Sequence, residues 1–381
     1  MTANPLRPVQ DRIVALDVLR GFALFGVLLV NMLDFSGSAL RAGTLGLRGT
    51  PIDQIVDIGI VLFAIAKFYL LFSFLFGVGF AVQMRRMEAS GRPFIGFYLR
   101  RLIILLVIGS LHASFIWDGD ILRLYALAGL LLLLVRKFPT RLLIGMALVI
   151  ALAGLLYFSS VPDIAQTSTS MASDNIAVYS NGSYTDLVSH RLAGLEATFD
   201  IQIPMVLVMF LLGLAVGRSG ILDQADRYRP FLRRWWLPAL IIGLLGNGLM
   251  LVGFSDGSSW LVSLGIHVGA PALSLFYIAV VLLNVERLAW LAPVGQMALS
   301  NYLSQSIICT TLFYGYGVGL YDQLSPAVTL GLVVLIYSIQ LVFSTWWMQH
   351  FRFGVMEWLW RSLTYGQLHS IRRTKSANTA S

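Results

Sequence analysis

Residues 13–33 read IVALDVLRGFALFGVLLVNML. As a helix this run is long enough to cross a hydrocarbon core about 30 Å thick, yet it carries Asp17 and Arg20. Three residues apart, the two side chains share a helix face and can pair. A charge inside a bilayer costs roughly 2.5–3.5 kcal/mol on insertion scales, so it faces protein or water. Two readings follow: a working site, or an ion pair that locks this helix to its neighbours.

The rest of the chain has the same character. Of 381 residues 57% are hydrophobic and 12% charged, with a mean hydropathy of +0.78; soluble domains carry about 25% charged residues. Ten apolar runs recur, near 13–33, 55–84, 97–116, 120–135, 140–158, 201–217, 236–253, 260–283, 297–318 and 327–348. They predict an all-α integral membrane protein, a polytopic bundle of about ten helices. With the amino terminus inside, 21 of the 27 Lys and Arg residues fall in inner segments, and only Arg41, Arg48 and Arg191 in outer ones. That bias places both termini in the cytoplasm. The net charge of +8 then reflects attraction to anionic lipid and gives no sign of a nucleic-acid partner. The single cysteine, Cys309, allows no disulfide within one chain. No Walker loop, dinucleotide fingerprint or HExxH motif is present, and no metal site is expected. The first run is too long for a signal-peptide core and reads as a retained anchor.

Residues 1–368 form the expected membrane domain. Within it, the Ser-, Thr- and Asn-rich stretch 159–200 forms the one long outer loop, enough to cap a vestibule. FRFGVMEWLWRSLTY reads as an amphipathic helix at the inner interface, spanning 351–366. Residues 369–381 read as a disordered cytoplasmic tail. FLFGVG at 74–79 and FLLGLAVG at 210–217 look alike, and small-residue spacings such as Gly213–Gly217 permit close helix contact, suiting a homodimer.

The chemistry-bearing residues fall at two depths. Towards the outside lie Asn31, Asp34, His112, Asp118, Asp120, Arg123 and His267. Towards the middle and inside lie Asp17, Arg20, Lys67 and the Asn301–Gln305 pair. GSLHASFIWDGDILRLYALAG at 109–129 is densest. An imidazole oriented by a carboxylate is a general base near neutral pH, and His112 with Asp118 or Asp120 supplies one. The plainer alternative has Asp120 capping the next helix. Arg123 either binds an anionic group or pairs with Asp120. Lys67 is too deep to snorkel and pairs with Asp17 or reaches an anionic ligand. His267, before Gly269-Ala270-Pro271, adjoins an expected kink that can open a polar pocket. Asn301 and Gln305 bond between helices, with a ligand role as the alternative.

RIVALDVLRGFALFGVLLVNM (12–32), KFYLLFSFLFGVGFA (67–81), LHASFIWDGDILRLYALAG (111–129), PVGQMALSNYLSQS (293–306) and FRFGVMEWLWRSLTYG (351–366) together resemble the YeiB-like family of bacterial inner-membrane proteins, a domain of unknown function. The resemblance covers almost the whole chain. It implies distant membership of a transmembrane acyltransferase superfamily that includes heparan-glucosaminide acetyltransferases and bacterial polysaccharide O-acyltransferases. Those relatives move an acyl group from cytoplasmic acyl-CoA to an acceptor across the membrane. Asp17, Arg20 and Gly21 match the shared first-helix pattern, and 119–125 resembles the segment after the third helix. The superfamily's usual histidines have no match: residues 34–53 contain none, and Asn31 stands where the O-acyltransferases place theirs.

The expectation is an acyl-CoA-dependent acyltransferase in the bacterial inner membrane, acting on an acceptor hydroxyl or amine at the outer face. His112, with Asp118 or Asp120, would be the base and Asn31 an oxyanion donor. Inner arginines such as Arg85, Arg86, Arg100 and Arg101 would attract the phosphates of acyl-CoA, with Arg20 and Lys67 at its buried end. Asp17, Arg123, Asn301, Gln305 and His267 complete the set that would hold the donor. The alternative is a secondary transporter of a small anionic or amphipathic solute, using Lys67, Arg20 and the His267–Pro271 break.

Overall fold

A computed structural model describes residues 13–37, 49–160, 176–194, 202–219 and 225–373. Among them the architecture is α-helical throughout, with one isolated bridge and no strand. The helices are α1 (Val14–Phe35), α2 (Pro51–Phe63), α3 (Lys67–Ala89), α4 (Phe94–Phe115), α5 (Leu122–Val135), α6 (Thr140–Ser159), α7 (Tyr184–Ala193), α8 (Ile203–Ser219), α9 (Ala225–Asp256), α10 (Ser259–Leu264), α11 (Ala270–Leu283), α12 (Ala292–Gln296), α13 (Ala298–Phe313), α14 (Pro326–His350) and α15 (Val355–Tyr365). Among the described residues seven helical stretches are long and apolar enough to cross a membrane, while the apolar helices α5 and α8 are shorter. Each of the ten apolar runs in the sequence lies on one or more of these helices. Their outer sides stay oily, as at Leu148 and Val342, which suits contact with lipid.

The run at 55–84 is not one straight span. α2 begins at Pro51, where Thr50 and Asp53 form a capping box, and the chain breaks at Ala64–Ala66 before α3 starts. Ala66 takes a left-handed φ of 69° at that break. The freed backbone is caught by side chains: Lys67 Nζ donates to the Val61 carbonyl at 2.7 Å, Tyr277 Oη to Phe63 O at 2.7 Å, and Ser274 Oγ to Lys67 O at 2.9 Å. In a hydrocarbon interior these groups need such partners. The expected Lys67–Asp17 pair is not formed. Phe68, the neighbour of Lys67, lays its ring on the bare face of Gly26, about 14 Å along α1 from Asp17. Asp17 pairs instead with Arg20 on its own helix, at 3.4 Å.

α1 is the central helix. Its buried face includes Val18, Leu19, Ala23 and Leu28, each fully enclosed. The look-alike segments 74–79 and 210–217 pack against each other across the α3–α8 seam, where Phe76 stacks on Phe210 at 4.6 Å. The backbones approach at Gly77 and Gly213, and Gly217 lies against Ala81. These small residues therefore serve the close helix contact that their spacing permits, here inside one chain.

The bundle has two ends, named here by the helix that covers each. At one end α7, opened by a Ser183–Asp186 capping box, lies over α4, with Tyr184 Oη donating to Phe115 O. It lies within the expected 159–200 loop, of which residues 159–160 and 176–194 are described. At the other end α15 docks on α4 and α13. Trp360 Nε1 donates to Arg101 O, and the Arg101 guanidinium lies 3.7 Å over the Trp360 ring. The expected tail from 369 begins with bonded backbone: Arg352 N donates to Ile371 O, and Arg373 N to His350 O. Disorder is therefore not found over 369–373, and residues 374–381 lie outside the described range.

Candidate active site at the α7 end

The constellation at 109–129 closes into a site because α4 ends at Phe115 and the chain turns sharply through Trp117–Ile121 into α5. Gly109 makes the turn possible. A Cβ there would press on Arg123 N, Asp120 Oδ1 and Leu122 Cβ, all at under 3 Å. Asp120 consequently reaches back to α4, and its Oδ2 lies 2.8 Å from His112 Nδ1. Its Oδ1 accepts the Arg123 backbone N–H at 2.9 Å. The two sequence readings of Asp120, cap and orienter, are both realised by one carboxylate.

The pair is enclosed: His112 is 1% exposed and Asp120 4%. With Nδ1–H directed at Asp120, Nε2 carries the lone pair, the arrangement a base needs. Among the described residues Nε2 has no hydrogen-bond partner. Beside it stands Tyr302 of α13, its ring centroid 5.3 Å from the imidazole and its buried hydroxyl against the Ile121 backbone, with no acceptor for its own proton among the described residues. Trp117, 6.3 Å from His112 and 4.4 Å from Phe35, closes the other side.

Asp118 is separated from this dyad by its own contact, since Oδ2 accepts the Tyr179 hydroxyl at 2.8 Å. Burial, then the Asp118 charge, raises the Tyr179 phenol well above the usual tyrosine range, so it stays a neutral donor. Asp118 is therefore not the residue that orients His112. Asn31 is half-buried one turn before Phe35, and among the described residues no hydrogen bond joins it to the dyad.

The remaining candidates lie elsewhere. His267 sits in a π-helical turn at Gly265–Gly269, its Nδ1 near Ser263 O at 3.0 Å and its ring against Gly154 and Phe158 of α6. Asn301 Nδ2 donates to Val294 O and Ser344 Oγ, and Gln305 Nε2 to Gln340 Oε1. Both amide donors are thus engaged between helices, the packing role that is one of their two readings from the sequence. At the α15 end, Arg20 and Arg361 are like-charged neighbours of Arg101. Arg100 donates to Thr364 O, so the arginines at 100 and 101 also fasten α15. Gly295 lies so close to Asp17 that a Cβ would overlap the Asp17 carbonyl, while Tyr337 Oη donates to Gly21 O at 2.7 Å. The D-x-x-R-G pattern is in part a packing motif.

Sequence reasoning missed Tyr302, Tyr179, Tyr314 and the buried Arg191. Tyr302 sits beside Asn301 in a quoted motif, and Arg191 follows Leu187 by one turn on a helix with a legible capping box. The signals were present, but periodicity alone cannot say which aromatic residue meets the imidazole.

Fold and site together define a multi-pass helical membrane protein with a buried His–Asp dyad near one end. The chain belongs to the family described as protein of unknown function DUF418, whose profile matches residues 216–367. It is 37% identical to the uncharacterized protein YxaH of Bacillus subtilis over 93% of this chain and 95% of that one. A 39.9 kDa protein encoded in the amylase 3' region of Bacillus acidopullulyticus is 30% identical over 97% and 99%. The uncharacterized protein YeiB of Escherichia coli is 31% identical over 93% and 97%. The sequence resemblance to the YeiB-like family is borne out.

Proposed function

We propose that this protein is an acyltransferase of the bacterial inner membrane, with both termini in the cytoplasm and the α7 end outside. It would move an acyl group from cytoplasmic acyl-CoA to an acceptor hydroxyl or amine. The observation that carries the reading is the enclosed His112–Asp120 pair with Nε2 uncommitted. Nε2 accepts the acceptor's proton as its oxygen or nitrogen attacks the thioester carbonyl carbon. The C–S bond then breaks, and the proton passes to the departing thiolate, leaving free CoA and an ester or amide. Asp120 stabilises the imidazolium that forms between the two steps. Tyr302, a donor with no acceptor among the described residues, supports the oxyanion better than Asn31 does. Arg20, with a third of its side chain exposed, and Arg101 and Arg361 beside it, supply positive charge for the phosphates of the donor.

The test is purified protein in nanodiscs, titrated with a panel of acyl-CoAs and followed by thermal shift and thiol release. Binding lost in Arg20→Ala, and release lost in His112→Ala with binding kept, is the expected pattern. Release by His112→Ala at the wild-type rate would remove His112 from the reaction.

A second reading, solute transport, is favoured by one feature: two interrupted helices meet, since Ser274 and Tyr277 of α11 cap the α2–α3 break. Ion-coupled uptake into proteoliposomes, abolished by Lys67→Met, would put that reading first.

A further inference from the structure

The α7 end holds a cation that the reaction above does not use. Arg191 is 1% exposed, and among the described residues its Nε, Nη1 and Nη2 all lack a hydrogen-bond partner. A guanidinium stays charged and presents five donors in a planar fork. Burying one without an acceptor is strongly unfavourable, so a chain that keeps it has a use for the charge. α7 does not neutralise it, because Asp186 is engaged at Ser183 in the capping box.

The surroundings are aromatic. The Arg191 guanidinium lies 5.6 Å from the Tyr314 ring centroid. Tyr314 packs on Tyr179 at 4.7 Å, and Tyr321 on Tyr179 at 5.6 Å. His190 meets the edge of Tyr179 at 5.8 Å. The acidic group facing the same rings is Asp118, which Tyr179 already engages and which forms no ion pair with Arg191. One ring at 5.6 Å gives a weak cation–π contact, too little to hold a dehydrated cation.

We propose that Arg191 anchors an oxyanion-binding site at the α7 end, taking the phosphate or carboxylate of a molecule that enters from that side. The planar fork suits bidentate oxygen pairs, and the tyrosine wall excludes water from them. The site adjoins the dyad through the Trp117–Ile121 turn, because Asp118 faces the tyrosines while Asp120 faces His112. That the bound anion belongs to the acyl acceptor rests on the acyl-transfer reading; the binding itself does not. Its source is either a free oxyanion or an anionic lipid headgroup.

The experiment is thermal unfolding of the full chain in phosphatidylcholine nanodiscs, titrated with inorganic phosphate against chloride at equal ionic strength. A parallel arm replaces part of the lipid with phosphatidylglycerol. Wild type should gain several degrees from phosphate, or from phosphatidylglycerol if the headgroup is the source. Arg191→Met should be at least as stable as wild type without the anion, and should lose the gain. Arg191→Lys, which keeps the charge but not the fork, should bind about tenfold more weakly and serves if the methionine variant does not fold. Equal shifts in wild type and the Arg191 variants, or no shift in either arm, would overturn the site. His112→Ala should keep the phosphate shift, so a failed transfer assay and a failed anion titration are distinguishable.

Discussion

The α13–α14 seam and the α4–α5 corner both bury polar side chains, and they differ in what is left over. At the seam Asn301 donates to Val294 and Ser344, Gln305 to Gln340, and Gln340 to Asn301 O and Ser304 Oγ. What is left among the described residues is carbonyl oxygen, the buried Gln305 Oε1, and a carbonyl tolerates that better than a donor does. At the corner, among the described residues, His112 Nε2 has no partner and the Tyr302 hydroxyl no acceptor, and Arg191 nearby has three idle nitrogens. A closed network is glue between helices. An enclosed group with unmet hydrogen bonds is built for something that arrives later.

The sharpest way to break this comparison is to exchange loads. His112→Ala should lower acceptor-dependent CoA release by about 10²–10⁴-fold, the usual contribution of a general base. Gln305→Met should leave the same rate within about twofold, since it touches no reacting group. A rate that fell with Gln305 and survived with His112 would reverse the assignment of the two regions.

Packing beneath the first-helix pair comes next. Gly295→Ala forces a methyl group into the Asp17 carbonyl. It should destabilise the bundle by about 1–3 kcal/mol, the typical cost of overpacking, measured as a lowered midpoint in detergent unfolding. An unchanged midpoint would mean that α1 and α12 separate freely.

Glu357 tests the join between α15 and the seam. Its carboxylate accepts from Leu299 N at 2.6 Å, Ser300 N at 3.1 Å and Ser300 Oγ at 2.6 Å, capping α13 from another helix. Burial nevertheless raises its pKa above the usual glutamate range, outweighing those donors. The folded state thus holds this proton more tightly than the unfolded one. The stability it contributes is full below the ordinary glutamate pKa and is lost as pH rises through the folded value. Tm measured against pH should fall across that window in wild type and flatten in Glu357→Gln.

The smallest effect belongs to a single seam contact. A double-mutant cycle of Asn301→Ala with Ser344→Ala should give a coupling of about 0.6 kcal/mol, the mean for interhelical bonds in membrane proteins. A coupling several times larger would show that the seam does more than join helices.

Hydropathy and charge alone determined the class of this protein, because a bilayer admits only segments that satisfy their own backbone and bury few charges. The Asp17–Arg20 pair and the His112–Asp120 pair were legible for a related reason: their partners lie three and eight residues apart, within reach of one helix turn or one tight corner. The position of Lys67, the break at Ala66 and the closed Gln305–Gln340 bond were not legible. Each depends on which helix lies alongside, and apolar helices carry too little pattern to specify their neighbours. Tyr302 and Arg191 meet the candidate site from α13 and α7, far away in the chain, so only the packed bundle could bring them to it.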